Sequence, residues 1–276
     1  MTTDRSSTVR SQAVRVAIIT GASRGLGLAL ADGLARRGTR LVIDARGAVP
    51  LDVARRALAE HTEVIAVQGS IADPAHRRAL VGAASSLGGL DLLINNAGVL
   101  GPSPMPPLST YPIDAYREVL EVGAVAPLAL AQLALPLLRP RAGAVINVTS
   151  DAAVEAYEGW GGYGSAKAAL EQLSRILAAE ETGVRVWWTD PGDLRTAMHQ
   201  EAFPGEDISD RPLPETAVPG FLRLLDQRPA SGRIRITEWS AEPTDPSIDA
   251  LTDEVVAPDP AAPGTAVDLD PVGARS

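Results

Sequence analysis

The chain has 276 residues, a formal net charge of −9, three histidines and no cysteine. This length allows one large domain or two small ones with a buried core. The lack of cysteine excludes disulfides, thiolate metal sites and cysteine nucleophiles, and the scattered histidines lack metal-ligand spacing, so we expect no metal. We find no apolar run that spans a bilayer and no signal peptide, and therefore expect a cytoplasmic protein without a membrane partner.

The negative charge is concentrated at the end of the chain. Residues 238–276 contain nine acidic residues and one basic residue, so the preceding part is nearly neutral. It has no basic face for nucleic acid, which excludes that class of partner. We predict a folded domain at residues 1–240 and a flexible, acidic, proline-rich tail at residues 241–276.

Strands and helices are predicted to alternate along the chain. Short apolar runs rich in β-branched residues predict strands, and amphipathic segments predict helices. In chain order we predict strand 14–19, helix 28–37, strand 41–44, helix 51–60, strand 64–67, helix 74–87, strand 90–94, helix 114–138, strand 144–148, helix 163–181, strand 184–189, helix 217–225 and strand 233–236. This order predicts an α/β fold, a doubly wound parallel sheet of about seven strands with helices on both faces.

A glycine-rich turn joins the first strand to the first helix. It reads Thr-Gly-Ala-Ser-Arg-Gly-Leu-Gly at residues 20–27. Glycines there let the backbone approach a pyrophosphate, and the helix N-terminus offers free N–H groups. The alternative interpretation is a plain tight turn. Ligands of such sheets lie beyond the carboxyl ends of the strands, where Asn95, Ser150 and residues 190–192 also fall.

The only lysine of the chain, Lys167, follows Tyr163 by four residues. The two side chains therefore share one face of a helix. An ammonium beside a phenol favours the phenolate, so we expect Lys167 to lower the pKa of Tyr163 and to equip it for proton transfer. The alternative is a helix that carries a tyrosine and a lysine by chance.

With these motifs, residues 15–236 resemble the single-domain short-chain dehydrogenases/reductases. The resemblance rests on the turn at 20–27, Asn-Asn-Ala-Gly at 95–98, Ser150, the Tyr163/Lys167 pair and Pro-Gly at 191–192 with Thr196. It implies a Rossmann-type fold and hydride transfer between a nicotinamide and a carbonyl or alcohol carbon. Tyr163 is then the general acid or base, Ser150 binds the substrate oxygen, and Lys167 binds the nicotinamide ribose.

The resemblance also implies the residues that bind the cofactor. These are Gly21, Ser23, Arg24, Gly25, Leu26, Gly27, Arg46, Ser70, Ile71, Asn96, Ala97, Gly98, Tyr163, Lys167, Pro191, Gly192 and Thr196. Two positions depart from the family pattern. Ser70 and Ile71 stand where an Asp usually contacts adenine. Gly123 stands where an Asn usually holds a water near the lysine, and we expect Gly123 to leave a hole of side-chain size that water fills.

The choice of dinucleotide depends on the end of the second strand. An acid there binds the ribose hydroxyls of NAD, whereas arginines accommodate the 2′-phosphate of NADP. Ala45 occupies the position of that acid, and Arg46 and Arg24 suit a phosphate, so NADP is favoured. NAD remains the alternative, because Asp44 could turn toward the ribose and a one-residue shift in the alignment would reverse the choice.

The leading hypothesis is an NADP(H)-dependent oxidoreductase acting on a ketone or secondary alcohol. A catalytically idle dinucleotide-binding sensor or scaffold is the alternative, and dehydration or epimerisation by the same tyrosine is a third. The sequence does not identify the substrate itself. Its expected walls are residues 102–107, 154–160 and 193–214, with the apolar candidates Tyr157, Trp160, Met198 and Phe203 and the acidic candidates Glu155, Glu158 and Glu201.

We also expect a homodimer or homotetramer. The predicted helix at residues 114–138 is apolar nearly all round, whereas a helix that covers one side of a sheet needs only one apolar stripe. The resemblance implies pairing through this helix and the helix that carries Tyr163.

Overall fold

The computed structural model describes residues 13–240; the predicted tail at 241–276 lies outside the described residues. Strands and helices alternate through this part of the chain. The strands are β1 (Val16–Ile19), β2 (Arg40–Ala45), β3 (Val64–Gln68), β4 (Leu92–Asn95), β5 (Ala144–Val148), β6 (Arg185–Asp190) and β7 (Gly232–Arg235). The α-helices are α1 (Gly25–Ala35), α2 (Ala48–Leu58), α3 (Pro74–Ser86), α4 (Ile113–Leu120), α5 (Ala126–Leu138), α6 (Gly161–Glu180), α7 (Ala197–Ala202), α8 (Val218–Gln227) and α9 (Ile236–Ser240).

The seven strands form one parallel sheet in the order β3-β2-β1-β4-β5-β6-β7. Successive residues of β1 show that both faces of the sheet are covered. Ala17 and Ile19 belong to the hydrophobic core that includes α1, α2 and α8, and Val16 and Ile18 belong to the core that includes α3 and α5. The predicted α/β, doubly wound fold with helices on both faces is confirmed.

Strand β1 connects the two halves of the sheet, because it pairs with β2 on one side and with β4 on the other. At the start of this β1/β4 junction, one carboxylate oxygen of Asp91 accepts hydrogen bonds from the backbone N–H groups of Arg15 (3.1 Å) and Val16 (2.9 Å). Asp91 thus fixes the register of two strands that are far apart in the sequence.

The long helix predicted at residues 114–138 is interrupted by a π-helical turn, Glu121–Val125, between α4 and α5. There, the N–H of Ala126 donates to the carbonyl of Glu121, five residues earlier. Pro127 explains the change. Proline has no N–H, and its ring clashes with the carbonyl four residues before it, which belongs to Gly123. Widening the turn avoids this clash.

The continuous helical segment Ile113–Arg141 is, by length and composition alone, apolar enough to cross a membrane, with a mean hydropathy of 1.7. This corrects the expectation that no apolar run is long enough. The segment is also a core element: 56% of its most apolar window is buried inside the fold, and α5 packs against α3 and α6.

Candidate active site

A cleft of about 1340 Å³ lies at the carboxyl ends of the strands. It is lined by residues from the glycine-rich turn, from the loops after β2 to β6, and from α6 and α7. Sixteen of the seventeen cofactor-binding residues implied by the resemblance line it, namely Gly21, Ser23, Arg24, Gly25, Leu26, Arg46, Ser70, Ile71, Asn96, Ala97, Gly98, Tyr163, Lys167, Pro191, Gly192 and Thr196. The exception is Gly27, which does not reach the cleft surface.

Gly27 lies under the turn rather than in the cleft. A Cβ atom at this position would lie 2.5 Å from the carbonyl oxygen of Gly21 and 2.5 Å from the Asn96 amide nitrogen. Glycine is therefore needed there so that α1 can start directly behind the turn. Gly21 has φ +68°, a conformation that glycine adopts without strain.

Asn96, directly after β4, fixes the turn from the neighbouring strand. Its side-chain amide donates to the carbonyl of Thr20 at 2.8 Å and to that of Gly21 at 3.3 Å. The Thr20 hydroxyl in return accepts from the N–H groups of Asn96 (3.0 Å) and Ala97 (2.9 Å). These bonds make the phosphate-sized cradle of the turn a rigid part of the sheet edge.

Asp44, the last buried acid of β2, is fully engaged in the protein. One carboxylate oxygen accepts from the N–H of Gly21 at 2.7 Å, and the other lies 2.8 Å from Nε2 of His76. Asp44 is 2% exposed and His76 is 6% exposed. The side chain of Asp44 therefore supports the turn, and turning toward a ribose would break both contacts.

Beyond Asp44, the cleft is bordered by arginines. Ala45 is partly buried and Arg46 is exposed, and Arg24 is exposed at the N-cap of α1. Within residues 13–240, no side-chain hydrogen bond or ion pair engages either guanidinium group. Both cations line the cleft with their hydrogen-bonding capacity unused.

Ser150, Tyr163 and Lys167 all line the cleft. Ser150 follows β5, and its hydroxyl donates to Asp151 at 2.9 Å and accepts from the N–H of Ala152 at 3.2 Å. On α6, the Lys167 ammonium donates to the carbonyl of Val148 at 2.7 Å and lies 5.4 Å from the centre of the Tyr163 ring. No described residue forms a hydrogen bond with the Tyr163 hydroxyl, which leaves it available to a ligand.

Burial sets the proton affinities of this pair. Burial raises the pKa of Tyr163 above its usual value of 10.0, and the negative charges of Asp190 and Asp151 raise it further. Burial lowers the pKa of Lys167 from 10.5 to about 8. In the protein without ligand the pKa of Tyr163 is therefore raised, not lowered as expected, because loss of hydration and the two carboxylates disfavour the phenolate.

The prediction of a water-filled hole at Gly123 is also wrong. A Cβ atom there would lie 2.9 Å from the Cβ of Ala166, which is closer than side chains tolerate. Gly123 thus lets the π-helical turn pack directly against α6, one residue before Lys167. The space that an amide side chain would need is occupied by the neighbouring helix.

Aromatic rings form part of the cleft wall. Trp160 lies 5.8 Å from Tyr163 and 6.0 Å from Phe203, and the rings of His199 and Phe203 are 4.9 Å apart. Four predicted apolar wall residues and one predicted acid line the cleft, namely Tyr157, Trp160, Met198, Phe203 and Glu158. Residues 102–107, Glu155 and Glu201 are not among its lining residues.

Asp151 is one of the lining residues that the motifs did not single out, whereas Asp193 and His199 lie in the predicted wall at 193–214. Asp151 also accepts a hydrogen bond from the Tyr157 hydroxyl at 2.9 Å. Its position directly after Ser150 was the only signal in the sequence. Within residues 13–240, no group of three His, Asp or Glu side chains is arranged to hold a metal ion.

The doubly wound sheet, the glycine-rich turn and the cleft at the strand ends define a Rossmann-type dinucleotide-binding fold. Comparison with known proteins identifies the family within this fold. The family model described as short chain dehydrogenase matches residues 15–207. The chain therefore belongs to the short-chain dehydrogenase family, oxidoreductases that use nicotinamide dinucleotides and act on alcohol and carbonyl groups.

Two relatives illustrate the similarity. The rhamnolipids biosynthesis 3-oxoacyl-[acyl-carrier-protein] reductase of Pseudomonas aeruginosa is 37% identical over 64% of this chain and 70% of its own length. The 2-(R)-hydroxypropyl-CoM dehydrogenase of Xanthobacter autotrophicus is 32% identical over 72% of this chain and 82% of its own. Among solved structures, an alcohol dehydrogenase from Thermococcus sibiricus complexed with 5-hydroxy-NADP superposes with a TM-score of 0.72 and 26% identity, over 80% of this chain and 95% of that one.

Proposed function

We propose that this protein is an NADP(H)-dependent oxidoreductase that transfers a hydride between the nicotinamide and a ketone or secondary alcohol. The observation that carries the proposal is the unpartnered hydroxyl of Tyr163, which lies beside Ser150 and Lys167 in the cleft that also holds the glycine-rich turn. The cofactor supplies the hydride chemistry when bound. The residues of the chain supply orientation and the proton.

Tyr163 is assigned the role of proton donor for carbonyl reduction. Its raised pKa keeps the phenol protonated at neutral pH, which is the form that donates. Ser150 is assigned the second contact with the substrate oxygen, so that two oriented groups stabilise the developing alkoxide. Lys167 is assigned to the nicotinamide ribose, which it can reach by exchanging its bond to Val148.

The preference for NADP is supported by charge. Asp44 is held by Gly21 and His76, so no free acid faces the ribose, while Arg24 and Arg46 offer free guanidinium groups to a 2′-phosphate. The Thermococcus sibiricus relative was solved with an NADP derivative, which is consistent with this choice.

Fluorescence titration with NADPH and NADH tests the cofactor preference. We expect tighter binding of NADPH, and a loss of about tenfold for NADPH alone in Arg46→Ala, since a charge-assisted hydrogen bond is worth about 1.5–3 kcal/mol. Arg36→Ala is the matched control, because Arg36 lies at the far end of α1 and pairs with Asp32. Equal affinities for the two dinucleotides, or an Arg46→Ala loss shared by NADH, would contradict the NADP assignment.

The class of substrate is supported by the names of the two relatives, a reductase of a 3-oxoacyl group and a dehydrogenase of a hydroxypropyl group. The test is a screen of ketones and secondary alcohols with both dinucleotides, followed by Tyr163→Phe. We expect this variant to lose turnover by about a hundredfold or more while its NADPH affinity stays nearly unchanged, since only the proton-transferring hydroxyl is lost.

Tyr116→Phe is the matched control for that experiment, because Tyr116 lies on α4 and does not line the cleft. Turnover by Tyr163→Phe at the wild-type rate would show that the role assigned to Tyr163 is wrong.

A catalytically idle dinucleotide-binding protein is the second candidate. The close packing of Gly123 on Ala166 favours it, because it leaves no room near Lys167 for the usual asparagine. Single-turnover mixing of the NADPH complex with reactive diketones separates the two candidates. Oxidation of bound NADPH supports the oxidoreductase, whereas binding without any hydride transfer supports the sensor.

The proposal includes a homo-oligomer in the cytoplasm, without nucleic-acid or membrane partners. Apolar side chains that are 37–61% exposed occur on each segment of the proposed interface: Ile113 on α4, Val125 on the π-helical turn, Leu133 on α5 and Ile176 on α6. Burying them in a partner would remove this apolar surface from water.

A further inference from the structure

Arg233, on the last strand of the sheet, pairs with two buried acids next to the candidate active site. Its Nε donates to Glu171 at 3.0 Å, and one Nη donates to Asp190 at 3.1 Å. Glu171 is 1% exposed and Asp190 is 8% exposed, so each buried charge needs a compensating cation. Asp190 pairs with Arg233, and Glu171 shares Arg233 with Arg175. The same Nη also donates to the carbonyl of Ser150 at 3.3 Å.

Each partner of Arg233 touches the site. Glu171 lies one turn after Lys167 on α6 and accepts from the hydroxyl of Thr149 at 3.0 Å. The second oxygen of Asp190 accepts from the N–H of Gly192 at 3.0 Å, in the loop that lines the cleft. One guanidinium group therefore joins the ends of β5, β6 and β7 with α6.

We infer that Arg233 is a positioning residue of the active site, which holds Ser150 in place and masks the charge of Asp190 from Tyr163. This inference rests on the proposed role of Tyr163. The charged groups that act on Tyr163 are Lys167 on its own helix, Asp151 after β5 and Asp190 at the end of β6. Among the residues that the structure describes, Asp190 pairs with a cation, Arg233, and Asp151 does not.

The two members of this ion pair should act on Tyr163 in opposite directions. Arg233→Gln leaves the charge of Asp190 unmasked and raises the pKa of the phenol. Asp190→Asn removes the negative charge, keeps an acceptor for Gly192 and lowers that pKa. We expect shifts of about one unit each way, the usual size for a neighbouring charge. A purely structural role would make the two variants alike, since both break the same contact.

The experiment is a pH titration of ring-labelled tyrosine by NMR on the full chain without ligand, with Tyr163→Phe identifying the signal. The pH profile of kcat/KM for alcohol oxidation should follow the same shifts. Arg175→Gln is the matched control. Arg175 binds the other oxygen of Glu171, at 3.1 Å, and has no contact with Asp190, so the Tyr163 signal should not move.

Shifts in the same direction, or no shift in either variant, would overturn the inference. If Arg233→Gln does not fold, Asp190→Asn alone decides, because an unchanged or raised pKa contradicts masking. A failure of the proposed function gives a different result: Tyr163→Phe would remain active while the NMR shifts were still seen.

Discussion

The buried ammonium of Lys167 should cost the protein stability that a neutral side chain would restore. Lys167 is 5% exposed, and burial lowers its pKa from 10.5 to about 8. At pH 7 Lys167 is protonated in both states, and its protonation is less favourable in the folded chain than in the unfolded chain by about 3 kcal/mol, at 1.36 kcal/mol per pKa unit. Lys167→Met removes this cost and loses the hydrogen bond to Val148, worth about 1 kcal/mol. We expect the variant to be more stable by about 2 kcal/mol at pH 7, and inactive.

The sign of the pH dependence gives a second check. Between about pH 8 and pH 10.5 the unfolded lysine keeps its proton and the folded lysine does not, so wild-type stability rises with pH relative to the variant. The advantage of Lys167→Met should shrink to nearly zero by pH 9.5. Urea unfolding of both proteins at pH 7 and pH 9.5, without cofactor and at equal protein concentration, measures it. A variant that is less stable at pH 7, or a difference that does not change with pH, would refute the reasoning.

Three other substitutions test close contacts and the proposed interface. Gly123→Ala should lower the free energy of unfolding by about 1–3 kcal/mol through overpacking. In urea unfolding, the double variant Gly123→Ala/Ala166→Gly should recover most of this stability. An equal loss of stability in both variants would mean that the 2.9 Å contact is not the cause. Gly27→Ala should weaken NADPH binding by about tenfold or more, since its Cβ would clash with the turn that binds phosphate. The control Gly82→Ala, whose Cβ has no atom within 4 Å, should bind NADPH normally in the same titration. Ile176→Glu, at a residue 47% exposed, should reduce the mass seen by light scattering at micromolar concentration, and Val49→Glu on α2 should not; a wild-type monomer would contradict the oligomer.

The sequence allowed the sheet to be predicted because its inner strands are buried on both faces. All four residues of β1 and all five of β5 are buried, and such runs are recognisable without knowing their neighbours. The convergence of the glycine-rich turn, Ser150 and Tyr163 then followed from the rule that parallel strands end at one edge. For the sheet and its edge, the local sequence pattern was therefore sufficient to predict which residues come together.

The features that the sequence did not predict depend on contacts between distant parts of the chain. The fixed position of Asp44 depends on His76, 32 residues later, and the role of Arg233 depends on Asp190 and Glu171, 43 and 62 residues earlier. The tight packing of Gly123 depends on how closely α6 approaches. No local periodicity reports such distances. Helix α7 was missed because six residues are too few to show a helical period.

The β1/β4 junction has a consequence for how the chain assembles. Strands β1 to β3 are neighbours among themselves, and so are β4 to β7. Among the seven described strands, the junction is therefore the only ladder that joins the two halves of the sheet. The Asp91 contact that starts it spans 75 residues, the longest loop that any ladder of this sheet has to close. We therefore expect the junction to form late in folding. A chain cut between α3 and β4 keeps every other ladder within one fragment. Two such fragments produced together should associate through the β1/β4 ladder and the helices packed across it, α3 with α5 and α1 with α8.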